Sequence, residues 1–100
     1  MDWNNLRYFL ELARTGTLVN AARRLEVDHT TVARRLQALE KEVGTPLFAR
    51  EAGGHRLTEA GRQLLPQVEA MEAAVAQVER ASLSAAEGPS GQVRLGTTEG

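Results

Sequence analysis

The 100-residue chain contains no cysteine, which excludes a disulfide framework, a zinc site built on thiolates and a catalytic thiol. No apolar run approaches the ~20 residues that a bilayer-spanning helix needs, and the N-terminus lacks the basic-then-apolar order of a secretory signal. A Gly-rich phosphate loop and metal-ligand spacing are missing too. Only two histidines occur, His29 and His55; they fall on separate, exposed stretches with no carboxylate placed to orient either. These absences argue against an enzyme, a bound cofactor and a membrane protein, and a cytoplasmic location is the default expectation. What remains is an ordinary folded chain, 42% hydrophobic and 25% charged, with the length of one small domain plus an extension.

A strong net charge is lacking as well, the formal total being −1. Residues 1–66 carry ten Lys/Arg and eight Asp/Glu, a local +2, whereas residues 67–100 carry two and five, a local −3. Arg23, Arg24, Arg34 and Arg35 bracket a short turn, and Arg50, Arg56 and Arg62 follow. A phosphate backbone responds to such local clustering rather than to the total. The distribution mildly favours DNA as a partner.

Helical periodicity opens the chain. Leu6, Phe9, Leu10 and Ala13 give a first helix, from about Trp3 to Arg14, one buried face, with Asp2 as its N-cap and Gly16 at its end. Thr17 caps a short second helix in which Leu18, Ala21, Ala22 and Leu25 recur at i, i+3, i+4 and i+7. The two alanines let another helix approach closely. After Glu26-Val27-Asp28, with Asp28 as cap, a third helix runs from His29 to Val43. Val32, Leu36, Leu39 and Val43 lie on its inner face and arginines on its outer one; Gly44 and Pro46 end it. Two helices joined by so short a turn form a helix-turn-helix pattern over about 17–43. Residues 46–58 read as a two-stranded hairpin, or wing, with its tip at Ala52-Gly53-Gly54. Leu47, Phe48 and Leu57 would pack the wing onto the helices.

Thr58 caps a fourth helix over 59–87. Leu64, Val68, Met71, Val75 and Val78 alternate at spacings of four and three, the repeat of a coiled-coil seam. Such a helix, at 1.5 Å per residue, spans ~40 Å, too long for a core of some sixty residues to cover. A second copy of the chain is the simplest partner for the seam. Pro66, lacking an amide hydrogen, should kink the helix after its second turn. Gly88-Pro89-Ser90-Gly91 is a hinge by composition. Gln92-Val93-Arg94-Leu95-Gly96 then alternates like a first strand, so 88–100 is expected to hold a hinge and the start of a truncated effector-binding domain.

Several stretches now stand in a telling order: Leu6-Arg7-Tyr8-Phe9, Ala21-Ala22-Arg23-Arg24-Leu25, Val32-Ala33-Arg34-Arg35-Leu36 with Ala38-Leu39-Glu40, Gly44-Thr45-Pro46-Leu47-Phe48-Ala49-Arg50 and Leu57-Thr58-Glu59-Ala60-Gly61. Across residues 2–66 they resemble the N-terminal region of LysR-type transcriptional regulators. The resemblance implies a mainly α fold: a winged helix-turn-helix over 1–58 followed by a long dimerising linker helix. It further implies promoter DNA as partner, homodimers that often pair into tetramers, and a small-molecule effector bound by a C-terminal domain. Where that family commonly has Ser-Gln, this chain has Asp28-His29; Ala33 and Arg35 stand in place of Ser and Gln, and Gly53 and Gly54 stand where the wing often carries arginines.

A recognition helix presents its N-terminal turn to base edges in the major groove. His29, Thr30, Thr31, Ala33, Arg34 and Arg35 are the candidates here. Arg34 can pair bidentately with guanine, for about 1–3 kcal/mol of discrimination; Thr30 and Ala33 can meet a thymine methyl. Arg35 and Lys41 suit phosphate, as do the amide at Leu18 and the side chains of Arg23 and Arg24. In the wing, Arg50, Gly53, Gly54, His55 and Arg56 are candidates for the minor groove. Each has a plainer alternative: Thr31 can serve the helix cap, Arg23 and Arg24 can pair with Glu26 or Asp28, the glycines can simply make a turn, and His29 and His55 can be ordinary surface.

Overall fold

The computed structural model describes residues 2–86, with side chains through Ser82. The order is α1 (Trp3–Thr15), α2 (Leu18–Leu25), α3 (His29–Val43), β1 (Phe48–Glu51), β2 (Gly54–Leu57) and α4 (Glu59–Ala86). The expected hinge at 88–91 and strand at 92–96 lie outside the described residues.

Side-chain caps set three of the four helix starts, each meeting an amide that the first turn leaves without a backbone partner. Asp2 accepts from the Asn4 amide at 3.0 Å, Thr17 from Asn20 at 3.1 Å and Thr58 from Gly61 at 3.2 Å. Asp28 corrects the expectation. It occupies the cap position of α3 with extended backbone, but its side chain makes no cap hydrogen bond. Its exposed carboxylate stays solvated, and only its carbonyl closes the turn, accepting from Thr31 at 3.0 Å. Glu26, at the end of α2, holds φ at +59°, a left-handed conformation that L side chains rarely adopt.

The core gathers Leu6, Phe9, Leu10 and Leu12 of α1, Ala21 and Ala22 of α2, and Val32, Leu36 and Leu39 of α3, with Leu47, Phe48 and Val68. Each large apolar side chain so buried contributes about 1.5–3 kcal/mol. Trp3 and Tyr8 pack against this cluster. Val43 is 37% exposed and not on the inner face: it lies in the last turn of α3, beyond the helices that would cover it.

The wing is a four-rung antiparallel hairpin, from Phe48 opposite Leu57 to Glu51 opposite Gly54, closed by Ala52-Gly53. Three contacts hold it. Phe48 meets Phe9 at 5.4 Å between ring centroids. The Glu40 carboxylate accepts from the amides of Leu47 (2.7 Å) and Phe48 (3.3 Å). On the other strand, the His55 amide donates to the Gly16 carbonyl at 2.8 Å. The approach is so close that a Cβ at Gly54 would collide with the same oxygen.

The first compact unit runs to Glu69, past the expected boundary at Thr58, because the start of α4 belongs to it. Gly61 is buried where a Cβ would strike the Leu47 carbonyl, Leu64 and Leu65 pack on the core, and Val68 has no exposure. Val68, and with it the packed Leu64, therefore face the fold's own interior rather than a free seam. The helix continues through Pro66, which removes the hydrogen bond that would reach the Arg62 carbonyl. In the second unit, described from Ala70 to Ala86, Met71 is 43% and Val78 is 64% exposed, with Val75 half-buried. Among the described residues no helix is long and apolar enough to cross a membrane.

Candidate nucleic-acid interface

Helical geometry alone assigns the faces of α3. Val32, Leu36 and Leu39 are buried, and Arg34 lies two residues, about 200° of rotation, from both Val32 and Leu36. It therefore points directly away from the core and is exposed. Thr30, Gln37 and Lys41 fall on the same outward stripe, all exposed, with Lys41 about 18 Å along the axis from His29. Ala33 and His29 lie to the side that meets the wing.

That side opens into contiguous clefts. One, lined by Ala33, Gln37, Arg50 and His55 among others, separates α3 from the wing. A second is lined by Thr17, Leu18, Val19, His29, Arg50, Glu51, Gly53 and Gly54, and a third brings Val19 and Arg23 to Asp28 and His29. The start of α2, the start of α3 and the wing thus form one surface. Leu18 lies at its floor, partly packed on the core. The Asp28 carbonyl takes the Thr31 and Val32 amides and its side chain makes no cap hydrogen bond, which leaves the His29 and Thr30 amides as the helix-start donors on this surface.

The arginines divide by whether the fold occupies them. Arg23, Arg34 and Arg50 are exposed and have no ion pair among the described residues. The others are engaged. Arg24 joins α2 to α1 through Glu11 at 2.7 Å, rather than pairing with Glu26 or Asp28. Arg35 turns back to α1, donating to the side-chain Oδ1 of the buried Asn5 at 3.4 Å and lying 5.8 Å from the Tyr8 ring centroid. Its aromatic and amide partners draw it off the outward stripe. Arg56 pairs with Glu51 at 2.8 Å on the outer face of the wing. Arg62 binds Glu59 at 2.7 Å and donates to the Leu57 carbonyl; that hydrogen bond and its positive charge hold the Glu59 carboxyl below its usual range.

Two expectations about individual groups change. His55 is not exposed surface: it is half-buried, its ring stands edge-on to Phe48 with centroids 6.3 Å apart, and its Nδ1 is buried. Gly54 faces the Gly16 carbonyl and packs the wing down, which leaves Ala52 and Gly53 as the tip. Thr31, half-buried, serves the first turn through its amide. Gln37, Val19 and Glu51 were not singled out in the sequence. Gln37 carried a readable signal, standing four residues after Ala33 and eight after His29 on one helix. Val19, 53% exposed, and Glu51 join the surface only through tertiary packing. Among the described residues, no group of three or more His, Asp or Glu is placed to hold a metal ion.

A compact helix-turn-helix with a hairpin wing folded against its third helix defines a winged helix-turn-helix. The family model for bacterial regulatory helix-turn-helix proteins of the LysR type matches residues 3–62, and the chain belongs to that family. It is 37% identical over 95 residues to the transcriptional regulator TfdT of Cupriavidus pinatubonensis, covering 95% of this chain and 42% of TfdT. It is 40% identical over 85 residues to a probable cat1 operon transcriptional activator of Acinetobacter lwoffii, covering 78% of this chain and 28% of the activator. The chain thus spans less than half the length of either. Among solved structures it resembles the DNA-binding domain of CbnR in complex with DNA, with a TM-score of 0.77 and 32% identity, over 86% of this chain and 99% of that one. The BenM DNA-binding domain with catB site 1 DNA gives a TM-score of 0.82 at 25% identity, over 88% and 98%.

Proposed function

We propose that this chain is the DNA-binding and dimerising portion of a bacterial transcription regulator. The observation that carries the proposal is the surface formed by α2, α3 and the wing, on which Arg23, Arg34 and Arg50 have no competing ion partner among the described residues while the neighbouring arginines are engaged elsewhere. On this reading α3 enters the major groove. Arg34 reads a guanine, His29, Thr30, Ala33 and Gln37 meet neighbouring base edges or thymine methyls, and Arg23, Lys41 and the first amides of α2 and α3 hold phosphates. Arg50 and the Ala52-Gly53 tip approach the minor groove.

The complexes of CbnR and BenM with DNA support the partner, and the exposed Met71 and Val78 flanking Val75 support a homodimer through the second unit. Two copies would set two recognition helices on a partly palindromic promoter site. The family resemblance adds tetramers, a ligand-sensing C-terminal domain and a cytoplasmic, nucleoid-associated location. To test the reading, duplexes bound by the chain are selected from a random library and compared with scrambled versions across a salt series. Tighter binding to the selected duplex, with affinity falling as salt rises, is expected. Equal affinity for both sequences would remove the specificity, and salt independence would remove phosphate-led binding.

A further inference from the structure

Among the described residues lining the cleft between the wing and the starts of α2 and α3, Glu51 is the one carboxylate. An acid there works against a polyanionic partner, so its position needs a physical consequence. The register supplies one. Opposite Glu51 stands Gly54, and Arg56 lies two residues further along β2, opposite Ala49; Glu51 and Arg56 therefore share the outer face of the hairpin as a diagonal pair. Their charged groups meet at 2.8 Å although both side chains are largely solvated, Arg56 at 71% and Glu51 at 45% exposure. Exposed pairs of this kind contribute little to folding, so the contact is free to serve, or to limit, binding.

We propose that Glu51 is a restraint on DNA affinity: by holding Arg56 it keeps the wing's second guanidinium from phosphate. The inference rests on the DNA-binding reading above and deepens it. With Glu51 present, Arg50, Glu51 and Arg56 sum to a single positive charge, and the blunt Ala52-Gly53 tip adds none. For Arg56 to bind a phosphate it must exchange one anionic partner for another, while the freed carboxylate sits beside the same strand. Neutralising Glu51 removes both penalties and adds one charge-assisted phosphate contact.

The experiment measures binding of the 100-residue chain to a mixed-sequence DNA duplex a few helical turns long, across a salt series, because phosphate contacts do not require a particular sequence. Glu51→Gln is expected to bind several-fold tighter at low salt, with a log–log salt slope steeper by about one. Arg56→Ala alone binds no tighter than wild type, and somewhat weaker because it leaves the Glu51 carboxylate unpaired beside the strand; on the Glu51→Gln background it removes both the gain in affinity and the added slope. An unchanged Glu51→Gln, with wild type binding and Arg34→Ala weakened, overturns the restraint while leaving the DNA face intact. A gain that survives Arg56→Ala overturns the role given to Arg56. Failure of the folded wild type to bind any duplex at low salt removes the DNA-binding reading, and the restraint with it.

Discussion

Adjacent arginines on α3 meet different fates, and the difference lies in what α1 offers. Arg35 finds the Asn5 side-chain Oδ1 and the Tyr8 ring; Arg34, one residue earlier, is exposed and has no ion pair among the described residues. Arg35→Ala is therefore expected to lower stability by about 0.5–1.5 kcal/mol, the range for one hydrogen bond, while leaving DNA affinity nearly unchanged. Urea denaturation alongside DNA titration checks both halves. None of this was legible from order alone, since Asn5 lies thirty positions from Arg35 and Glu11 thirteen from Arg24. Propensity and spacing identify a face of a helix but not a distant partner. Glu26 teaches the same lesson: its left-handed backbone sits in a turn whose sequence offers no glycine. Glu26→Gly should relieve about 1–2 kcal/mol of steric cost, partly offset by the entropy of a freer unfolded chain, for a net rise in melting temperature. A fall would mean that the side chain itself stabilises the turn.

For the elements, the helices were the most legible part. Asp2, Thr17 and Thr58 announce their starts because capping is local chemistry, and α3 spans His29–Val43 as its apolar spacing indicates. The wing was less so. Its strands are four residues each and owe their position to tertiary contacts, chiefly Glu40 from α3. Removing that carboxylate leaves the Leu47 and Phe48 amides without their acceptor in a part-buried site. Glu40→Ala should cost about 1–3 kcal/mol and selectively loosen the hairpin, seen as faster amide hydrogen exchange in β1 than in α1. Uniform exchange in both elements would show that Glu40 does not secure the wing. The sequence places Gly54 at the wing's tip and gives Gly61 no role; packing against the Gly16 and Leu47 carbonyls is what the fold asks of them.

Across the whole molecule, the heptad pattern of α4 runs through two units that periodicity cannot separate. Val68 completes the first unit's core with no exposure, whereas Met71 and Val78 in the second unit are exposed, and the proposed dimer would cover them together with Val75. Val68→Asp should unfold the first unit, because a carboxylate without a partner would be buried there. Val75→Asp should leave that unit folded yet shift the chain from dimer to monomer in sedimentation velocity, weakening DNA binding indirectly. A monomeric wild type would rule out the seam. Charge is unevenly spread along the chain as well, with residues 1–66 summing to +2 and residues 67–100 to −3.

The outward stripe of α3 is the surface on which the proposed function stands, and Arg34 is its test. Arg34→Ala, titrated beside wild type against a selected duplex, should lose affinity by about 1–3 kcal/mol, roughly 5- to 150-fold, with thermal melting and sedimentation unchanged. Full affinity and unaltered sequence preference in the folded Arg34→Ala protein would contradict it.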